Sequence, residues 1–140
     1  MKQNFRKNFK KCQLPIITIN FLGIKINFLV DSGSSKNQIS GAAFKILKET
    51  DLYKENFADY QGKNKVSGVG GEAIIQPQVL LGYYLDRRRY ADVFGILPDT
   101  VFKCFEEESG LVVSGILGSS FFVSHNIVID YETMTVYTKA

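Results

Sequence analysis

Phe28-Leu29-Val30-Asp31-Ser32-Gly33-Ser34-Ser35 is the stretch on which the reading of this 140-residue chain turns. Three consecutive apolar residues run into an aspartate, and small turn-forming residues follow it. Just upstream, Ile24, Ile26 and Phe28 alternate with Lys25 and Asn27. A period of two marks a half-buried strand. The pattern becomes continuously apolar at 28–30, as in a strand entering a core. Before it, Leu14 to Asn20 reads as a second strand, and Phe21-Leu22-Gly23 supplies the turn of a hairpin.

Downstream, Asn37-Gln38-Ile39 reads as extended chain. Ser40 is placed to cap a helix over Gly41 to Glu49, with Phe44 and Leu47 on its inner face. Residues 50–64 show no clear period and read as loop. Val66 to Gly71 has the composition of a hairpin tip, and Ala73 to Leu81 of a strand in which Pro77 marks an edge or a bulge. Tyr83 to Ile96 carries one or two strands around a charged turn, Asp86-Arg87-Arg88-Arg89. Asp99 to Glu108 reads as a short helix or loop, and Ser119 to Val123 as a short helix. Asn126 to Tyr131 is a strong strand, turned by Glu132-Thr133-Met134 into a last strand, Thr135 to Thr138. The expected fold is all-β, mainly antiparallel, with one or two short helices.

Hydrophobic residues make up 45% and charged residues 22%, the balance of one globular domain. Net charge is +3, too small to argue for nucleic-acid binding, and none is expected. Lys2, Arg6, Lys7, Lys10 and Lys11 crowd the start. Residues 1–12 therefore read as a basic, solvated tail before a domain over 13–140, with contact to RNA or an acidic partner as the sharper alternative. Cys12 and Cys104 form no disulfide framework, and free thiols suit a reducing compartment. The apolar run from Leu14 is interrupted by Asn20, Lys25 and Asn27, so neither a signal peptide nor a membrane span is expected. A soluble, cytoplasmic protein is the expectation.

No metal or cofactor is expected. His125 is the only histidine and reads as a helix-end or solvent-facing residue. Ser34-Ser35 and Ser119-Ser120 lack the elbow of a serine hydrolase. Gly68-Val69-Gly70-Gly71 lacks the lysine of a phosphate loop. Arg87-Arg88-Arg89 reads as an exposed strand end.

Asp31 carries the chemistry that fits best. A carboxylate held at the base of a cleft can activate a water if a second carboxylate shares a proton with it. Gly33 allows close approach of a peptide backbone, and Ser32 and Ser34 bring hydroxyls near the carboxylate. Asp-Ser-Gly by itself is weak evidence, because these are common turn residues. Three further features follow it in order: Ile39-Ser40, the glycine-rich Ser67-Gly68-Val69-Gly70-Gly71, and Gly115-Ile116-Leu117-Gly118-Ser119-Ser120-Phe121-Phe122 with Ile127-Val128-Ile129-Asp130-Tyr131.

Together these resemble the retropepsin-like aspartic protease family over residues 14–138. The resemblance implies an acid-protease barrel with one lobe per chain, and an aspartic endopeptidase with Asp31 as its catalytic carboxylate. It implies that Ser32 braces the two subunits, that Gly33 lines the substrate backbone, and that Gly68, Val69, Gly70 and Gly71 form a flap tip. Ile116, Leu117 and Gly118 would hold the catalytic loop rigid, with Ser34 in support. Retroviral members often pair an acid four residues past the aspartate with an arginine after the later glycine. Here those positions are Ser35 and Ser119. The chain has one such aspartate loop; Asp92 and Asp130 lack the Ser/Thr-Gly that must follow. The expected partners are therefore a second copy in a homodimer and a peptide or protein substrate. The alternative is a catalytically silent dimerisation or peptide-binding module.

Overall fold

The computed structural model describes residues 1–21, 23–50, 57–67 and 73–139. Strand β1 (Lys2–Asn4) and helix α1 (Arg6–Cys12) precede β2 (Ile16–Phe21) and β3 (Ile24–Val30). β4 (Asn37–Ser40) enters α2 (Gly41–Glu49), and β5 (Phe57–Ser67), β6 (Ala73–Leu85) and β7 (Arg88–Leu97) follow. Then come α3 (Thr100–Ser109), β8 (Gly115–Leu117), α4 (Ser119–His125), β9 (Ile127–Asp130) and β10 (Thr135–Thr138).

One sheet runs β2-β3-β8-β4-β7-β6-β5. Asn20 on β2 also pairs with Tyr84 on β6, which closes six of the strands into a barrel and leaves β5 outside the ring. A second sheet, β1-β10-β9, is antiparallel throughout. Only β3–β8 and β4–β7 are parallel among the described pairs. The fold is all-β and mainly antiparallel, with four short helices among the described residues where one or two were expected.

The period of two in the sequence becomes the barrel interior. Ile17, Ile19 and Phe21 of β2 and Ile26 and Phe28 of β3 are buried. Phe21, Phe28, Tyr83 and Phe94 are each fully buried, with ring centroids 5.6 to 6.4 Å apart. Each such ring contributes about 1.5–3 kcal/mol by leaving water. Helix α2 begins where its cap was expected: the Ser40 hydroxyl accepts the Ala43 N–H at 3.1 Å, and Phe44 and Leu47 are buried.

Four segments depart from expectation. Residues 1–12 are not a solvated tail: β1 pairs with β10, and Phe5 is fully buried against Phe9 and Tyr131. Residues 57–64 are strand rather than loop, because β6 supplies the pairing that a weak pattern cannot. The turn after β2 is shorter than drawn, since Phe21 is still in the strand and pairs with Ile24. The charged turn contracts to Asp86-Arg87, both with positive φ (49° and 67°), while Arg88 and Arg89 belong to β7. Pro77 does face a bulge: the β5–β6 register shifts between Tyr60 and Lys63, and Lys63 is paired with Pro77. Among the described residues no helix is long and apolar enough to cross a membrane.

Candidate active site

Asp31 sits where β3 leaves the sheet. Val30, the residue before it, is buried, while Asp31 is half-buried and Ser32 and Gly33 are exposed. Strand β8 lies parallel to β3, pairing Phe28, Leu29 and Val30 with Gly115, Ile116 and Leu117. The pairing needs glycine at 115: a Cβ there would lie 2.1 Å from the Phe28 ring. On its other side β8 pairs with β4, through Gln38 with Ile116 and Ile39 with Gly115. The loop from Asp31 to Lys36 thus arches over the end of β8, with its two feet in strands on either side.

Hydrogen bonds fix the arch at each step. The Asp31 N–H donates to the Leu117 carbonyl at 2.9 Å. The Gly33 N–H donates to Asp31 Oδ1 at 2.9 Å, and the Ser34 N–H to the Asp31 carbonyl at 3.1 Å. Gly118 slides beneath the arch: a Cβ there would lie 2.5 Å from the Lys36 carbonyl and 2.6 Å from that of Ser34. Its N–H donates to Asn37 Oδ1 at 3.0 Å. Helix α4 then grips the loop. The N–H groups of Ser119 and Ser120 donate to the carbonyls of Ser34 and Ser35 at 2.7 and 3.2 Å, and the Ser119 hydroxyl reaches the Ser35 carbonyl at 3.2 Å. The positions that lack an acid and an arginine are therefore joined directly, hydroxyl to carbonyl.

The expected residues fall in different places. Asp31, Ser32, Gly33, Ser34, Ile116, Leu117 and Gly118 are brought together. The Ser34 hydroxyl, expected beside the carboxylate, instead donates to the Lys36 carbonyl at 2.9 Å, because the arch turns it toward β4. Gly68, Val69, Gly70 and Gly71 lie outside the described residues. The strands on either side of them, β5 and β6, pair up to Ser67 with Ala73.

Three groups near the site were not connected with it from sequence. Asn37 is 2% exposed and its only sequence signal is a polar residue entering a buried strand. Gln76 on β6 donates to Gln38 Oε1 on β4 at 2.9 Å and to the Ile96 carbonyl at 3.1 Å, across β7. Gly95 makes this possible, since a Cβ there would lie 2.5 Å from Gln76 Oε1. The third group is Tyr83, Asp92 and His125. His125 Nε2 stands 2.9 Å from both Asp92 oxygens, and the Tyr83 hydroxyl donates to Asp92 Oδ2. A cavity of about 400 Å³ adjoins them, lined by Lys36, Asn37, Asp92, Ser120 and Ser124 among others; Asp31 does not line it. Among the described residues no group of three or more His, Cys, Asp or Glu side chains could hold a metal ion.

No family model matches the sequence, and no curated protein matches it. Solved structures do match the fold. The retroviral protease-like domain of Ddi1 from Leishmania major superposes with a TM-score of 0.55 at 12% identity, over 90% of this chain and 88% of that one. EIAV protease complexed with the inhibitor HBY-793 superposes with a TM-score of 0.54 at 18% identity, over 79% of this chain and 86% of that one. Identities this low speak to architecture alone, and the architecture is retropepsin-like.

Proposed function

We propose that this chain is an aspartic endopeptidase that acts as a homodimer, with one Asp31 from each copy facing a shared water. Two carboxylates that close hold one proton between them. The ionised one takes a proton from the water as it attacks the peptide carbonyl, and the protonated one donates to the carbonyl oxygen. When the tetrahedral intermediate collapses, the proton gained by the base passes to the leaving amine, and one hydroxyl of the intermediate returns a proton to the other carboxylate as the carbonyl re-forms.

One observation carries this reading. Asp31 Oδ1 accepts the Gly33 N–H, while Oδ2 has no hydrogen bond among the described residues, on a loop whose backbone is otherwise tied down. A carboxylate that is held rigidly yet keeps one oxygen free suits a group with a partner outside its own chain. Ser32, exposed beside it, would brace the second copy. The β5–β6 hairpin would carry Gly68 to Gly71 over the bound peptide. Neither a metal nor a cofactor enters the reaction.

A peptide library incubated from pH 4 to 7 with the wild type and with Asp31→Asn tests the proposal. Cleavage by the wild type alone is expected. Cleavage that survives the substitution contradicts it. Binding of peptide by both proteins with cleavage by neither would make the chain a silent peptide-binding module.

A further inference from the structure

We infer that His125 is a positioning residue for the Asp31 loop, acting through helix α4; its kinetic consequence rests on the peptidase reading above. Helix α4 is seven residues long, about 10 Å from end to end. Its first two N–H groups hold the carbonyls of Ser34 and Ser35. Its last residue is His125, so one short rigid element connects the loop to whatever fixes that imidazole.

What fixes it is a part-buried carboxylate. The Asp92 side chain is 9% exposed and that of His125 18%. A carboxylate only accepts hydrogen bonds, so the imidazole Nε2 carries the proton that it donates to Asp92. Tyr83, fully buried, donates its hydroxyl to the same carboxylate from β6. The imidazole is also wedged edge-on between Tyr90, at 4.7 Å, and Phe121, at 5.4 Å between centroids. The three polar groups come from β6, β7 and α4 and meet at the Asp92 carboxylate.

The cavity beside them shows why the tie matters. Ser120 and Ser124 of α4 line it on one side, and Ala91, Asp92 and Val93 of β7 on another. This cleft of about 400 Å³ separates helix from strand beside the Asp92–His125 contact. Phe121, fully buried, pins the middle of the helix to the core. Against β7, the stance of α4 is set at its far end by His125. Loosening that end frees the helix to pivot on Phe121, and the pivot moves Ser119 and Ser120 at the near end.

Hydrogen exchange at single amides reads this directly and does not require activity. In His125→Phe, which keeps a ring between Tyr90 and Phe121 but has no donor, the Ser119 and Ser120 amides should exchange about tenfold faster, with the β2–β3 amides unchanged. His125→Gln, which can again present an N–H to Asp92, should return them to within about twofold of wild type. His125→Asn, too short to span the gap, should behave as the phenylalanine variant does and serves if that variant fails to fold. In the peptidase assay the same tie should appear as a kcat about tenfold lower with KM unchanged. Wild-type exchange at Ser119 and Ser120 in the donor-less variants, or no recovery with glutamine, overturns the inference. Absence of peptidase activity in the wild type would count against the proposed function and leave the exchange result to decide.

Discussion

Asp31 and Asp130 each stand at the end of an apolar strand, and their surroundings differ. Val30-Asp31 closes β3, and Ile129-Asp130 closes β9. Asp130 turns its carboxylate back on its own chain. Its Oδ1 accepts the N–H of Glu132 at 2.8 Å and of Thr133 at 3.2 Å, capping the turn into β10. The Thr133 N–H does most to hold this carboxyl below the usual aspartate range, opposed in part by burial and assisted by the Glu132 N–H and the Thr133 hydroxyl. Among the described residues Asp31 has only the Gly33 N–H on one oxygen, and its loop is braced instead by Leu117, Gly118 and α4. The same local pattern thus gives a carboxylate that takes two N–H groups of its own turn on one oxygen in one place, and a single N–H in the other. The two turns differ at the N–H three residues on, which Ser34 gives to the Asp31 carbonyl and Thr133 to the Asp130 carboxylate.

The contrast breaks most severely at Gly118. In Gly118→Ala the new methyl would lie 2.5 Å from the Lys36 carbonyl, and backbone on both sides leaves it no room. Urea denaturation should show a loss of about 3 kcal/mol or more, with cleavage abolished. Next comes Asn37→Ala, which strands the buried Gly118 N–H. It should cost about 1–3 kcal/mol in the same measurement. Ser119→Ala removes one hydroxyl bond at an exposed position and should cost about 0.5–1 kcal/mol, since the backbone bonds of α4 to the loop remain. Mildest is the effect at Asp130. A carboxyl depressed by folding adds stability above its unfolded pKa, and that contribution fades as pH falls through the folded value. Asp130→Asn should flatten the acid limb of a stability–pH curve slightly and leave peptide cleavage untouched.

Much of this architecture was readable from local pattern. Alternation at Ile24, Ile26 and Phe28 placed β3, and the Ser40 cap placed α2. The resemblance set the Gly115 to Gly118 run beside the aspartate loop, and the structure adds that close approach demands glycine at both of its ends. Residues 1–12 were misread because five cations outweighed two phenylalanines. Phe5 and Phe9, four residues apart, were the signal of a helix face that packs on Tyr131. The tie between Asp92 and His125 left no local trace at all, since 33 residues separate them and only the fold makes them neighbours. The Ser34 hydroxyl was drawn toward the carboxylate by proximity in sequence, and the direction of the arch decided otherwise.

The central claim is that one Asp31 is half of an active site. Mixing subunits tests it most directly. Wild type and Asp31→Asn, unfolded together at equal concentration and refolded, assort at random into dimers, of which about a quarter carry two intact aspartates. If both are needed, the specific activity per total protein should fall to about one quarter of the wild-type value at the same total concentration. A fall to only about one half would mean that each chain works with its own Asp31 alone, and the shared-carboxylate account would be wrong.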